Sequence, residues 1–149
     1  MMGSSHLRLN NRATIITDIE SLPSVLSSSA HKPCVVMLTA WKQNIVTREL
    51  WEPWINLLVK NGCAQFVCVG SHSESLHDLI DDIILDNDNL LEIKPYDTVL
   101  TTYHDDETIE EVVNYFVYAT ELWDKLHGGL FAVLGDEDKS LKDQLQNQK

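Results

Sequence analysis

The sequence predicts an α/β fold: a small three-layer domain, Rossmann-like or flavodoxin-like, with a mostly parallel sheet of four to five strands and helices on both faces. Four short, nearly continuous apolar runs recur at intervals of about thirty residues, as strands buried on both faces do. The stretches between them carry apolar residues at helical spacing. Strands alternating with helices make βαβ units, whose right-handed crossovers build a parallel sheet between two helical layers.

The elements follow in chain order. Residues 1–11 are polar and lack the apolar stretch of a secretory signal, so they are expected to be a flexible leader ahead of one α/β domain over residues 12–149. Residues 12–17 read as an additional edge strand or an arm, and residues 19–28 as a first helix. The first apolar run, Cys34-Val-Val-Met-Leu-Thr39, is a strand. Leu50, Trp54, Leu57 and Leu58 predict a helix over residues 46–61 that Gly62 ends. Pro53 either opens that helix at its first position or interrupts one running from Thr47.

A second strand is expected at residues 65–69. The clearest helical stripe follows, with Leu76, Leu79, Ile80, Ile83 and Ile84 predicting a helix over residues 73–85, and Ser71 and Glu74 spaced as its capping box. Residues 98–102 read as a third strand. Ile109, Val112, Val113, Phe116, Val117, Thr120 and Trp123 then predict a long helix over residues 106–126, stopped by Gly128-Gly129. Residues 130–134 form the last strand, and residues 140–146 a short terminal helix.

Composition narrows the class. Hydrophobic residues make up 44% and charged residues 23% of the 149, which suits a folded globular chain rather than a disordered one. No apolar run approaches the roughly 18 residues that span a bilayer. Cys34, Cys63 and Cys68 are odd in number and form no CxxC pair, so buried free thiols in the cytoplasm are expected rather than a disulfide framework.

In open α/β sheets, ligands gather beyond the carboxyl ends of the strands, here the polar loops of residues 39–43, 70–74, 101–106 and 135–138, which are candidates to converge on one pocket. Gly70-Ser71-His72-Ser73, with Glu74, is a glycine and hydroxyl loop opening a helix, where backbone N–H groups can hold an anion. It lacks both the G-x-G-x-x-G and the G-x-x-x-x-G-K-[ST] patterns and any lysine or arginine, and an ordinary helix cap is the plainer reading. Thr101 and Thr102 stand at the end of the next strand and extend this ligand-binding candidate. Glu74, His77 and His104 are candidate catalytic residues, and His77, Asp81, His104 and Asp105 a candidate set for a divalent metal, provided the two histidine segments meet. Against this stands the expectation that polar residues simply line the solvated face of a helix. Cys68 with His104 as its base is a further possibility, outweighed by the common fate of a small thiol in an apolar strand. Trp41, Trp51 and Trp54 line a pocket, expose a contact surface within a larger complex, or pack the core.

The charge pattern constrains the partner. Residues 1–73 hold 4 acids and 6 bases, residues 112–149 hold 6 acids and 4 bases, and residues 74–111 hold 13 acids against Lys94 alone. The middle third therefore matches the whole net charge of −12. Asp78, Asp82 and Asp86 repeat at four-residue spacing, as do Asp106/Glu110 and Glu107/Glu111, each helical pair costing roughly 0.2 to 0.5 kcal/mol. Such a surface opposes nucleic-acid binding and suits a basic protein partner. Asp78, Asp81, Asp82, Asp106, Glu107, Glu110 and Glu111 are the candidate contact residues. Docking of the immunity or inhibitor type is the expected function, with a small enzyme or nucleotide-type ligand binder, with or without a divalent metal, as the alternative. Solubility alone would also account for the acids.

Overall fold

The structure, a computed structural model, describes residues 4–28, 34–86, 99–120 and 129–148. Six strands form one sheet: β1 (Ser5–Leu9), β2 (Arg12–Thr17), β3 (Cys34–Thr39), β4 (Cys63–Val69), β5 (Leu100–His104) and β6 (Gly129–Val133). Their order is β1-β2-β6-β3-β4-β5. Every neighbouring pair is parallel except β1/β2. The α/β class and the mostly parallel sheet are as expected, whereas the strand count is six and the sheet is mixed.

Alternation along the strands sorts the core into two layers. Val36 and Leu38 of β3, Phe66 and Cys68 of β4, and Phe131 and Val133 of β6 face three helices, α1 (Leu22–Ser28), α2 (Arg48–Lys60) and α3 (Ser73–Asp86). Val35 and Met37, Val67 and Val69, and Leu130 and Ala132 face the other way, onto α4 (Ile109–Asn114), the π-helical turn Tyr115–Ala119 that continues it, and α5 (Lys139–Gln146). Phe66, Phe116 and Phe131 are fully buried, each contributing roughly 1.5 to 3 kcal/mol by leaving water. The layering is Rossmann-like. The strand order is neither of the two common doubly wound orders, because the last strand, β6, inserts between β2 and β3.

Several sequence expectations need correction. The leader expected over residues 1–11 contains β1, which pairs antiparallel with β2 through a two-residue turn, Leu9 facing Arg12. Asn10 and Asn11 have φ of 49° and 62°, the left-handed conformation of the tight hairpin turn that matches strand twist. Residues 12–17 are consequently an interior strand, with β6 on their other side. The capping box lies at Thr108, whose side chain accepts the Glu111 amide while Glu111 accepts the Thr108 amide. That box starts α4 at Ile109, three residues later than expected, and places Asp106 and Glu107 before the helix. Helix α2 runs through Pro53 with Thr47 as its cap, and α3 begins at Ser73 as expected. Strand β5 lies two residues further along than expected. The described helical segment ends at Ala119 with Thr120 as its cap, and the rest of the helix expected to residue 126, with Trp123, lies outside the described residues.

Candidate functional site

Two regions of this fold hold chemistry: the edge around β5, where the sequence places its candidates, and the carboxyl ends of β2, β6 and β3. At the first, β5 pairs with β4 so that Cys68 faces Tyr103 and Val69 faces His104. Successive strand residues point to opposite faces, which decides where the histidines go. Tyr103 lies on the α3 face, where its ring meets His77 edge-on with centroids 5.2 Å apart. His104 lies on the α4 face, 4.6 Å from the Tyr115 ring, with one ring nitrogen bonded to Glu107 and the other 3.1 Å from the Thr102 hydroxyl. His77 and His104 are thus on opposite sides of the sheet. They share no site. His77 instead holds Asp78 at 2.9 Å and has Asp81 at 3.7 Å, and among the described residues no three His, Cys, Asp or Glu side chains come together to hold a metal.

The Gly70 loop is likewise already engaged. The Gly70 amide donates to His104, the His72 amide to Ala40 and the Ser73 amide to Gly70, while the Ser71 hydroxyl donates to the Trp41 carbonyl. Gly70 has φ of 113°, and a Cβ there would sit 2.5 Å from the Ala40 carbonyl oxygen. The glycine is needed because the β3 and β4 ends are tied together, and three of the amides expected to cradle an anion are already paired, that of His72 in this tie, that of Gly70 with β5 and that of Ser73 within the loop. Cys68 is buried in β4 on the α3 face, and burial, with Asp81 adding to it, pushes its thiol well above the usual range. A thiol held protonated, on the sheet face away from His104, is not an activated nucleophile.

What the edge does present is charge. Glu74, Asp78 and Asp82 are exposed along α3, and Asp105, Asp106, Glu107, Glu110 and Glu111 are exposed on the β5–α4 connection and the first turn of α4. Asp81 is half-buried between them and the core. Tyr103, 41% exposed, lies among these acids. Glu74 above all, then partial burial and Asp105, raises its phenol above the usual 10.0. Thr101 is half-buried on the α3 face of the strand. At the far end of α3, Arg48 binds Asp86 and Glu52 at 2.7 Å each, tying α2 to α3 and offsetting the last acid of the series.

The second region joins two of the expected carboxyl-end loops, residues 39–43 and 135–138, and adds the end of β2, which the sequence did not point to. Because β6 lies between β2 and β3, the segments leaving all three strands meet. Asp138, only 4% exposed, fastens those after β3 and β6: it accepts the Thr39 hydroxyl at 2.9 Å, the Trp41 indole N–H at 2.6 Å and the Gly135 amide at 2.8 Å. A cleft of about 510 Å³ opens beside this clamp, lined by Asp18 and Glu20 after β2, Trp51 and Trp54 of α2, and Leu134 to Asp136 after β6. The helices following β3 and β6 lie on opposite faces, so this is the switch point at which open α/β sheets bind ligands. Beside those two loops the sequence signal was the tryptophan cluster, which the fold divides: Trp51 and Trp54 line the cleft, while Trp41 lines a smaller hollow on the other side of Asp138.

The chain belongs to a family described as a domain of unknown function (DUF7684), whose model matches residues 11–147, from the hairpin turn through α5. No curated protein matches it. Among the described residues no helix is long and apolar enough to cross a membrane.

Proposed function

We propose that this member of the family is a small acidic binding or regulatory protein of the cytoplasm that docks on a basic protein surface, in the manner of an immunity or inhibitor protein. The observation that supports it is the placing of exposed carboxylates on both sides of one sheet edge. Acids of α3 flank β5 on one face and acids of the β5–α4 connection flank it on the other. Among the described residues no strand pairs with the outer side of β5, where Leu100 is 45% exposed. A strand edge offers unpaired backbone groups and the acids offer long-range attraction, so a cationic partner is both steered in and held. Nucleic acid, carrying like charge, is repelled. Three cysteines buried without disulfides fit a reducing compartment.

The test uses the purified partner. Asp78→Asn, Asp82→Asn, Glu110→Gln and Glu111→Gln together are expected to slow association by about tenfold or more at low salt. Glutamine at 111 keeps the capping box, so the fold is retained. A control chain neutralised at Glu20, Glu49, Glu137 and Asp143 is expected to bind as the native protein does. If the two variants lose binding equally, the surface acts only as bulk charge and the reading fails.

A further inference from the structure

We propose that the cleft at the carboxyl ends of β2, β6 and β3 binds a small organic cation, an amine or quaternary ammonium carrying an apolar body. The cleft does not belong to the acidic β5 edge: β6, β3 and β4 separate β2 from β5 in the sheet. Its volume of about 510 Å³ lies within the range of small-molecule sites. Its wall is apolar and held in place. The Trp51 indole N–H is committed to the Ile45 carbonyl at 2.8 Å, and Trp54 stands half-buried beside it. The Asp138 clamp fixes Thr39 and Gly135 on the opposite side.

The charge at the rim selects the ligand. Asp18, Glu20 and Asp136 line the cleft, and no lysine, arginine or histidine is among the described lining residues. Asp18 is held at the start of α1 by the Ser21 amide at 2.8 Å. A phosphate or carboxylate entering here meets only like charge. A cation with an apolar body meets carboxylates at the rim and indole rings within, and aromatic rings attract cations by their quadrupole. The pairing of tryptophan with acid, in a preformed cavity at the switch point, is therefore a recognition site for an ammonium group rather than for a nucleotide.

Titration calorimetry with the full chain tests this, using benzyltrimethylammonium as the cation and 3-phenylpropionate as an anion of similar size. The cation is expected to bind saturably at one site and the anion not to bind. Trp54→Leu and the double variant Glu20→Gln/Asp136→Asn are each expected to weaken the cation by about fivefold or more, whereas the fourfold variant of the β5 edge leaves it unchanged. Glu20 and Asp136 are exposed, so the double variant decides the matter even if Trp54→Leu does not fold. The proposal is overturned by no saturable binding of the cation up to about 10 mM. It is equally overturned by anion binding of equal strength, by unchanged affinity in the double variant, or by an equal loss in the β5-edge variant.

Discussion

Tyr103 and His104 are neighbours in the chain and belong to different halves of the molecule. Tyr103 turns toward α3, His77 and the acids, while His104 turns toward Tyr115 and Glu107. The raised phenol of Tyr103 is a local probe of the acidic surface. Its protonated form is favoured in the folded state, so the stability this confers is present below the ordinary tyrosine value of 10.0 and is lost as pH rises through the higher folded value. An ultraviolet difference titration against Tyr103→Phe is expected to show Tyr103 ionising above 10.0. Glu74→Gln should bring it back down, because Glu74 is its largest cause. A Tyr103 titration indifferent to Glu74 would mean that the acids do not crowd this edge.

At the scale of the element, Ser71/Glu74 and Thr108/Glu111 both have the Ser/Thr-x-x-Glu spacing of a capping box just ahead of an apolar stripe, and only the second is a box. Thr108 and Glu111 make both reciprocal bonds. Ser71 instead reaches back to the Trp41 carbonyl, since the Gly70 loop is bent onto the end of β3. Thr108→Ala is therefore expected to cost about 1 kcal/mol in chemical denaturation, and Ser71→Ala less than about 0.5 kcal/mol. Equal costs would remove the distinction. The box's own signature was legible at Thr108, but the apolar stripe beginning at Ile109 blurs where the helix starts, as Asp106 also suits a first turn. Buried strands were legible because continuous apolar runs can only be covered on both faces, and Cys34–Thr39 matches β3 residue for residue. β1 was not legible, since its alternating pattern is carried by only three inward residues, Ser5, Leu7 and Leu9. The turn signal Asn10-Asn11 was the clue that could have found it.

Across the whole molecule, what the sequence withheld was adjacency. A site joining His77 to His104 required His104 to sit in a loop beyond the strand. One more turn of pairing, Val69 with His104, puts it inside β5, where alternation sends it to the far face. The cleft required knowing that β6 enters the sheet between β2 and β3, a consequence of packing between segments 95 residues apart for β3 and 116 for β2. The acidic middle third, by contrast, was legible in the count of residues, and the fold gives its described acids a place: both flanks of one sheet edge. Its acids are not equivalent there. Asp86 is offset by Arg48, Asp78 is held by His77, Glu74 is bonded to Tyr103, Glu107 is engaged with His104 and Glu111 with the Thr108 amide, leaving Asp82, Asp105, Asp106 and Glu110 as the more freely presented charges among the described residues.

Amide hydrogen exchange of the chain with and without its purified basic partner tests the account most directly, because it reads the contact residue by residue. Docking at the β5 edge predicts slowed exchange at Leu100–His104 and along Ser73–Asp86, with the β1/β2 hairpin unchanged. Slowing confined to the hairpin or to the cleft, with β5 and α3 exchanging as in the free chain, would contradict it.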